Sequence, residues 1–150
     1  NLSKFGGIPT CSFHSLYEVN ATDQNYLIVG GGDSLCISWM QVLSFVDKKI
    51  DWFTALDHKL HTHLFFKTYT QLRYRYKTFF PFSIGKNELR NFTKVMYNSL
   101  GGSMLEFHRD LLDNPRVIEV LRNVDYLSLR DTQTSDILNS KGIKNVVVPD

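Results

Sequence analysis

Residues 114–150 read NPRVIEVLRNVDYLSLRDTQTSDILNSKGIKNVVVPD. Asn114 can cap a helix, because its side-chain oxygen can accept a first-turn amide proton that has no partner inside the helix. Pro115 suits the first helical position, where a missing N–H costs nothing. Val117, Val120, Leu121 and Val124 recur at i, i+3, i+4 and i+7, which predicts a helix with one apolar face. Tyr126 to Leu129 predicts a strand. Asp131 can cap a second helix, and Gly142 can end it in a left-handed turn that lets Ile143 pack back on Leu138. Val146 to Val148 predicts the next strand. Two strands joined by a helix of roughly ten residues make a right-handed parallel crossover. The expected fold class is therefore α/β, with a doubly wound, mostly parallel sheet and flanking helices.

Working back from this unit, Tyr26-Leu27-Ile28-Val29 is a short apolar run that ends at Gly30-Gly31-Gly32-Asp33. Apolar residues then spread over Leu35, Ile37, Trp39, Met40, Val42 and Leu43, so the order predicted is strand, glycine turn, helix, with Ser34 or Asp33 as the cap. Between these ends the pattern is weaker. Asp51 to Lys77 predicts helix followed by an aromatic-basic stretch. Thr78 to Gly85 predicts an extended segment that Pro81 pushes toward an edge, and Asn87 to Leu100 predicts a helix through Leu89, Phe92, Val95 and Met96 that stops at Gly101-Gly102.

With 150 residues, 43% of them hydrophobic, the chain suits one globular domain. The net charge of +2 makes no case for nucleic acid or an anionic membrane as partner. No run reaches the roughly 18 apolar residues of a membrane span, and no signal peptide is legible at the N-terminus. Cys11 and Cys36 stand in no metal-like spacing and read as buried, inert thiols, which points to the cytoplasm. The chain starts at Asn1 and stops where a strand meets Pro149-Asp150. A buried parallel strand needs a crossover beyond it, so the expectation is a fragment of a longer chain.

Two groups of residues carry the site prediction. Gly30, Gly31 and Gly32 would let a ligand approach the backbone at the carboxyl end of a strand, with Asp33 beside them and the next helix offering free amides; a tight turn chosen for packing is the plainer alternative. Arg130 ends a strand and would emerge at the same rim if the strands are parallel, as a clamp for carboxylate or phosphate or as the partner of a nearby Asp131. His58, His61 and His63 are not expected to bind metal, since no one backbone conformation gathers them and no acidic or thiol ligand completes a set. His14 and His108 have no visible partner. Arg73-Tyr74-Arg75-Tyr76-Lys77 reads as an amphipathic element, or else as a stacking surface for sugars or single-stranded nucleic acid. The sequons at Asn20 and Asn91 carry no weight.

Taken in order, these pieces resemble a known family. Tyr126-Leu-Ser-Leu-Arg130-Asp131, the helix ending at Lys141-Gly142-Ile143, and Val146-Val-Val-Pro149-Asp150 are similar to the "isvRD…S…l..lGi…vvPD" stretch of the polysaccharide pyruvyl transferases. Leu27 to Asp33 resembles that family's "iivGGGdl" segment, and Ser83-Ile84-Gly85 keeps part of its "GqGiGp" turn. The resemblance covers residues 26–35 and 115–150, and little of the middle.

It implies one lobe of a two-lobed, GT-B-like transferase that moves a pyruvyl group from phosphoenolpyruvate to a sugar of a surface glycan, forming a ketal. Arg130 would hold the anionic donor, and Gly30 to Asp33 would line its site. The partners implied are phosphoenolpyruvate and a glycan or lipid-linked sugar acceptor. No nucleic acid, cofactor or metal is expected, and contact with a membrane would come only through the acceptor. The family's Arg-x-His motif, its candidate acid, does not occur in this sequence. No catalytic residue is assigned here, the acid is expected in a second lobe, and the fragment alone is expected to be inactive. Two other readings share these features: a glycosyltransferase of the same architecture that uses a nucleotide sugar, and a non-catalytic glycan-binding or interaction module that uses Tyr69 to Lys77.

Overall fold

The computed structural model describes residues 13–20, 24–45, 47–60, 65, 68–69, 72, 80–102, 105 and 109–148. Four strands form one sheet: β1 (Tyr26–Gly30), β2 (Lys94–Leu100), β3 (Tyr126–Leu129) and β4 (Val146–Val147). They lie side by side in chain order and every pair is parallel. The helices are α1 (Trp39–Ser44), α2 (Lys49–Leu60), α3 (Arg109–Leu112), α4 (Pro115–Arg122) and α5 (Thr132–Ser140). The α/β class and the parallel sheet are as expected. The second winding is not seen among the described strands, because the order advances in one direction; a reversal would need a strand beyond β1.

That order accounts for the burial of the sheet. Right-handed crossovers that all step the same way carry their connections over one face. On that face lie Leu27, Val29, Val95, Tyr97, Leu127 and Leu129, packed in one core with Val117, Leu121, Leu138 and Ile143. Each aliphatic side chain fully buried there contributes about 1.5–3 kcal/mol before entropy is charged against it. The opposite face holds Ile28, Met96 and Tyr126 in register, with Val146 beside Ser128. Among the described residues it is partly exposed: Ile28 is 61% exposed and Tyr126 41%, while Ser128 is buried.

The last third folds as its local signals dictate. The Asn114 side chain accepts from the Arg116 amide at 3.1 Å, and Val117, Val120 and Leu121 are the buried residues of α4. Asp131 caps α5 by accepting from the Thr134 amide at 2.6 Å and from its hydroxyl at 2.8 Å. Gly142 has φ of +72°, and its neighbour Ile143 donates its amide proton to Leu138 O at 3.0 Å and is fully buried. The expected closing strand is present as Val146–Val147.

The middle departs from expectation. Residues 94–100, expected to end a helix, are β2, a central strand of the sheet. Val95 and Met96 fit a helical stripe with Leu89 and Phe92, whereas the structure buries Val95, Tyr97 and Leu100. Their spacing of two and then three matches neither period, because an irregularity lies between Tyr97 and Leu100, where Ser99 has φ of +54°. The described part of the expected extended segment, 80–85, contains no strand. It is tied to the sheet by the Tyr97 hydroxyl, which accepts from the Ile84 amide at 2.9 Å and lies 2.7 Å from Phe82 O. Burial pushes the Tyr97 phenol well above its ordinary range.

Candidate functional site

The carboxyl end of the sheet brings together the residues singled out above. β1 ends at Gly30, and Gly31 and Gly32 follow with φ of +76° and +63°, a left-handed region in which a Cβ is costly. The turn is stitched to the next strand: Gly31 donates its amide proton to Asn98 O at 3.1 Å, and Gly32 O accepts from the Gly101 amide at 2.7 Å. Gly30 pairs with Asn98 in the ladder but has no positive φ. A Cβ there would meet nothing within 4 Å, so the backbone lies open to an approaching group.

Asp33 does not cap a helix. It precedes a short 3-10 turn, Ser34–Cys36, and makes no side-chain cap bond; Ser34 donates its hydroxyl proton back to Gly31 O at 2.9 Å. The α-helix starts later, at Trp39, where Ser38 and Gln41 form a reciprocal capping box. Both caps expected from the sequence are thereby corrected. The expected free helix amides are also missing here, since Cys36 N and Ile37 N donate to Asp33 O and Ser34 O within the turn.

The Asp33 carboxylate instead accepts from Arg130 Nη2 at 2.9 Å, across 97 residues of sequence. Arg130 follows β3 and is held there by its own amide, which donates to Leu100 O at 3.0 Å. Among the described residues Asp33 is the one partner of the Arg130 side chain. Asp131, the neighbour expected to compete for it, is engaged by Thr134. The pair is about one-third exposed, at 36% for Arg130 and 38% for Asp33.

Beneath the pair lies Gly101. A Cβ on it would overlap Arg130 Nε and come within 2.5 Å of Asp33 Oδ1, so the ion pair can cross the end of β2 only because this residue has no side chain. Gly102 is equally confined, 2.6 Å from Leu105 Cδ1 and 2.8 Å from Thr134 Cγ2 by the same measure. Read as a helix stop, these two glycines went unrecognised as part of the rim. The available signal was a partial repeat: a short apolar run followed within a few residues by consecutive glycines occurs both at residues 26–32 and at residues 95–102. Next to them the Ser99 amide donates to Ser128 Oγ at 2.9 Å, and that hydroxyl lies 3.1 Å from Asn98 Oδ1.

Gly30 to Asp33 and Arg130 thus share one rim of one parallel sheet. The arrangement is a rigid guanidinium with four of its five N–H donors uncommitted among the described residues, set beside backbone without side chains. Chemically it can hold a carboxylate or a phosphate.

Other candidates fare differently. His61, His63, His108, Cys11, Arg73 to Lys77, Pro149 and Asp150 lie outside the described residues, as do the side chains of His14 and His58. Among the described residues no cluster of three or more His, Cys, Asp or Glu could hold a metal ion, and no helix is long and apolar enough to cross a membrane. Cys36 is buried, as expected. A cavity of about 380 Å³ lies elsewhere, lined by Leu16, Tyr17 and residues 87–91. Burial and the nearby Glu88 charge raise the Tyr17 phenol there. That volume does not make it the better site, because Glu88 is already committed to Arg116 and to the Gly85 amide. In comparisons with known proteins, the chain matches no family model, no curated protein and no solved structure.

Proposed function

We propose that this chain is the donor-binding lobe of a GT-B-like polysaccharide pyruvyl transferase, which moves a pyruvyl group from phosphoenolpyruvate to a sugar of a surface glycan. One observation carries the reading: Arg130 stands 2.9 Å from Asp33 at the same carboxyl rim as the glycine turn, with most of its donors uncommitted among the described residues. Phosphoenolpyruvate carries a carboxylate and a phosphate, the two groups that a planar guanidinium fork holds best. Open backbone at Gly30 gives such a small anion room to lie close.

The chemistry assigns this lobe a limited part. Protonation of the donor's methylene carbon gives a cationic centre, which one sugar hydroxyl attacks. A second hydroxyl then displaces phosphate and closes the ketal. A clamp that neutralises the donor's charge and fixes its orientation lowers the barrier to both attacks. The proton must come from an acid outside this lobe, in keeping with the absence of an Arg-x-His sequence. The acceptor is a glycan or a lipid-linked sugar, the site of reaction is the cytoplasm, and no cofactor takes part.

Calorimetric titration of phosphoenolpyruvate into the full-length protein tests the reading. The expected result is saturable binding that Arg130→Ala weakens by about 10- to 100-fold, the loss of a charge-assisted bidentate contact. A uridine or guanosine nucleotide that binds more tightly than phosphoenolpyruvate would replace this reading with that of a nucleotide-sugar transferase.

A further inference from the structure

The pairing of Arg130 with Asp33 raises a question of sign. A carboxylate 2.9 Å from the clamp cancels part of its charge, so by Coulomb's law alone Asp33 should weaken the binding of any anion at Arg130. The geometry points to the opposite role. We infer that Asp33 is a positioning residue, which holds the Arg130 guanidinium across Gly101 with its remaining edge turned to the ligand, so that an anion binds more tightly with Asp33 than without it.

Four observations support this. Asp33 is the one partner of the Arg130 side chain among the described residues, so nothing else described fixes the rotamer of a long, flexible side chain. Arginine loses rotamer freedom when it is fixed, and a ligand that meets it already fixed does not bear that cost. Gly101 is shaped for the pair, since a Cβ there would strike both Arg130 and Asp33. The bond also uses a single nitrogen, Nη2, and leaves the other guanidinium nitrogens unengaged among the described residues. Asp33 is itself held by backbone: the 3-10 turn begins on its carbonyl, which accepts from Cys36 N at 3.0 Å.

The inference rests on the anion-binding reading of Arg130, and the experiment separates the two. Phosphoenolpyruvate and inorganic phosphate are titrated into the full-length protein as wild type, Arg130→Ala, Asp33→Ala, Asp33→Asn and Asp33→Glu, with thermal unfolding recorded for each variant. Asp33→Asn keeps an acceptor oxygen in place without the charge, and affinity within about threefold of wild type is expected. Asp33→Glu keeps the charge but moves the carboxylate by one methylene, and a loss of about tenfold is expected, matching Asp33→Ala. Should Asp33→Ala fail to fold, the Asn and Glu variants decide the matter between them.

Equal or tighter anion binding by Asp33→Ala or Asp33→Glu would overturn the inference and leave Asp33 as a mere counter-charge. If inorganic phosphate binds through Arg130 and phosphoenolpyruvate does not, the donor assignment fails while the positioning role is judged on phosphate. Absence of binding by either anion, or binding that Arg130→Ala leaves unchanged, would overturn both.

Discussion

At each end of the strands an acidic side chain meets a cation from a distant segment, yet the two pairs are built differently. At the amino end Asp125 receives the Val95 amide at 2.8 Å on one oxygen and Lys86 Nζ at 2.7 Å on the other. Both oxygens are used, and the bonds join the start of β2 to the residue just before β3. At the carboxyl end the Asp33–Arg130 bond crosses over a bare glycine, and the cation has more donors than its partner can take. In the first pair both carboxylate oxygens are bonded, and the pair stitches strands together. The second is set among residues that supply backbone and no side chains.

Gly101→Ala breaks the carboxyl end most severely. Its Cβ would displace Arg130 and Asp33 together, and overpacking of this kind costs about 1–3 kcal/mol. A fall in Tm is the expected readout, with loss of whatever anion Arg130 holds. Gly30→Ala is the internal contrast: with open space and no positive φ, it should leave Tm within a degree or so of wild type. Comparable destabilisation by both substitutions would erase the distinction between the two glycines.

At the amino end, Asp125→Ala strips a partner from the Val95 amide and from Lys86, and about 1–2 kcal/mol of stability should be lost in urea unfolding. Solvent screening trims the Lys86 share. Anion binding at the far end should be untouched, since the two sites share no partner.

The same carboxylate gives a pH dependence. Burial acts to raise the Asp125 pKa, but the bonds from Lys86 and the Val95 amide and the charges of Lys86 and Lys94 outweigh it and hold the group below the ordinary carboxylate range. A depressed pKa adds stability that is complete above the unfolded value, near 4, and disappears as pH falls through the lower folded value. As pH falls below the unfolded value the wild type should therefore lose more stability than Asp125→Asn. Parallel acid-unfolding curves for the two would remove Asp125 from the account.

The smallest effect is expected at Ser99, whose φ of +54° is costly for any residue with a Cβ. Ser99→Gly should relieve up to about 1 kcal/mol of that cost, seen as a slight rise in urea midpoint. A fall instead would mean that the Ser99 side chain contributes more than its backbone costs.

The two regions were not equally legible in the sequence. Around α4 and α5 each signal sits within a few residues of what it controls: Asn114 bonds Arg116, Asp131 bonds Thr134, and Gly142 lets Ile143 reach Leu138. Nothing of this kind marks β2. Its buried positions, Val95, Tyr97 and Leu100, keep no single period, and the irregularity that shifts them becomes visible only once β3 lies alongside. The helix expected from Asp33 or Ser34 failed for a related reason. A short oxygen side chain before an apolar run is a cap only if the backbone turns helical at once, and here the chain first makes a 3-10 turn and starts its α-helix at Trp39, capped by Ser38.

By itself the sequence determined the caps of α4 and α5, the apolar stripe of α4, the strand runs read at residues 26–29, 126–129 and 146–148, and hence the parallel α/β class. The physical reason is that caps, stripes and β-branched runs act over distances of one or two turns of chain. Tertiary structure alone decided that β2 lies at the centre of the sheet, that one sheet face is partly exposed, and that Arg130 turns to Asp33 instead of Asp131. Those outcomes depend on which strands become neighbours. Neighbourhood between residues 97 positions apart is fixed by burial of the whole core, which no local pattern contains.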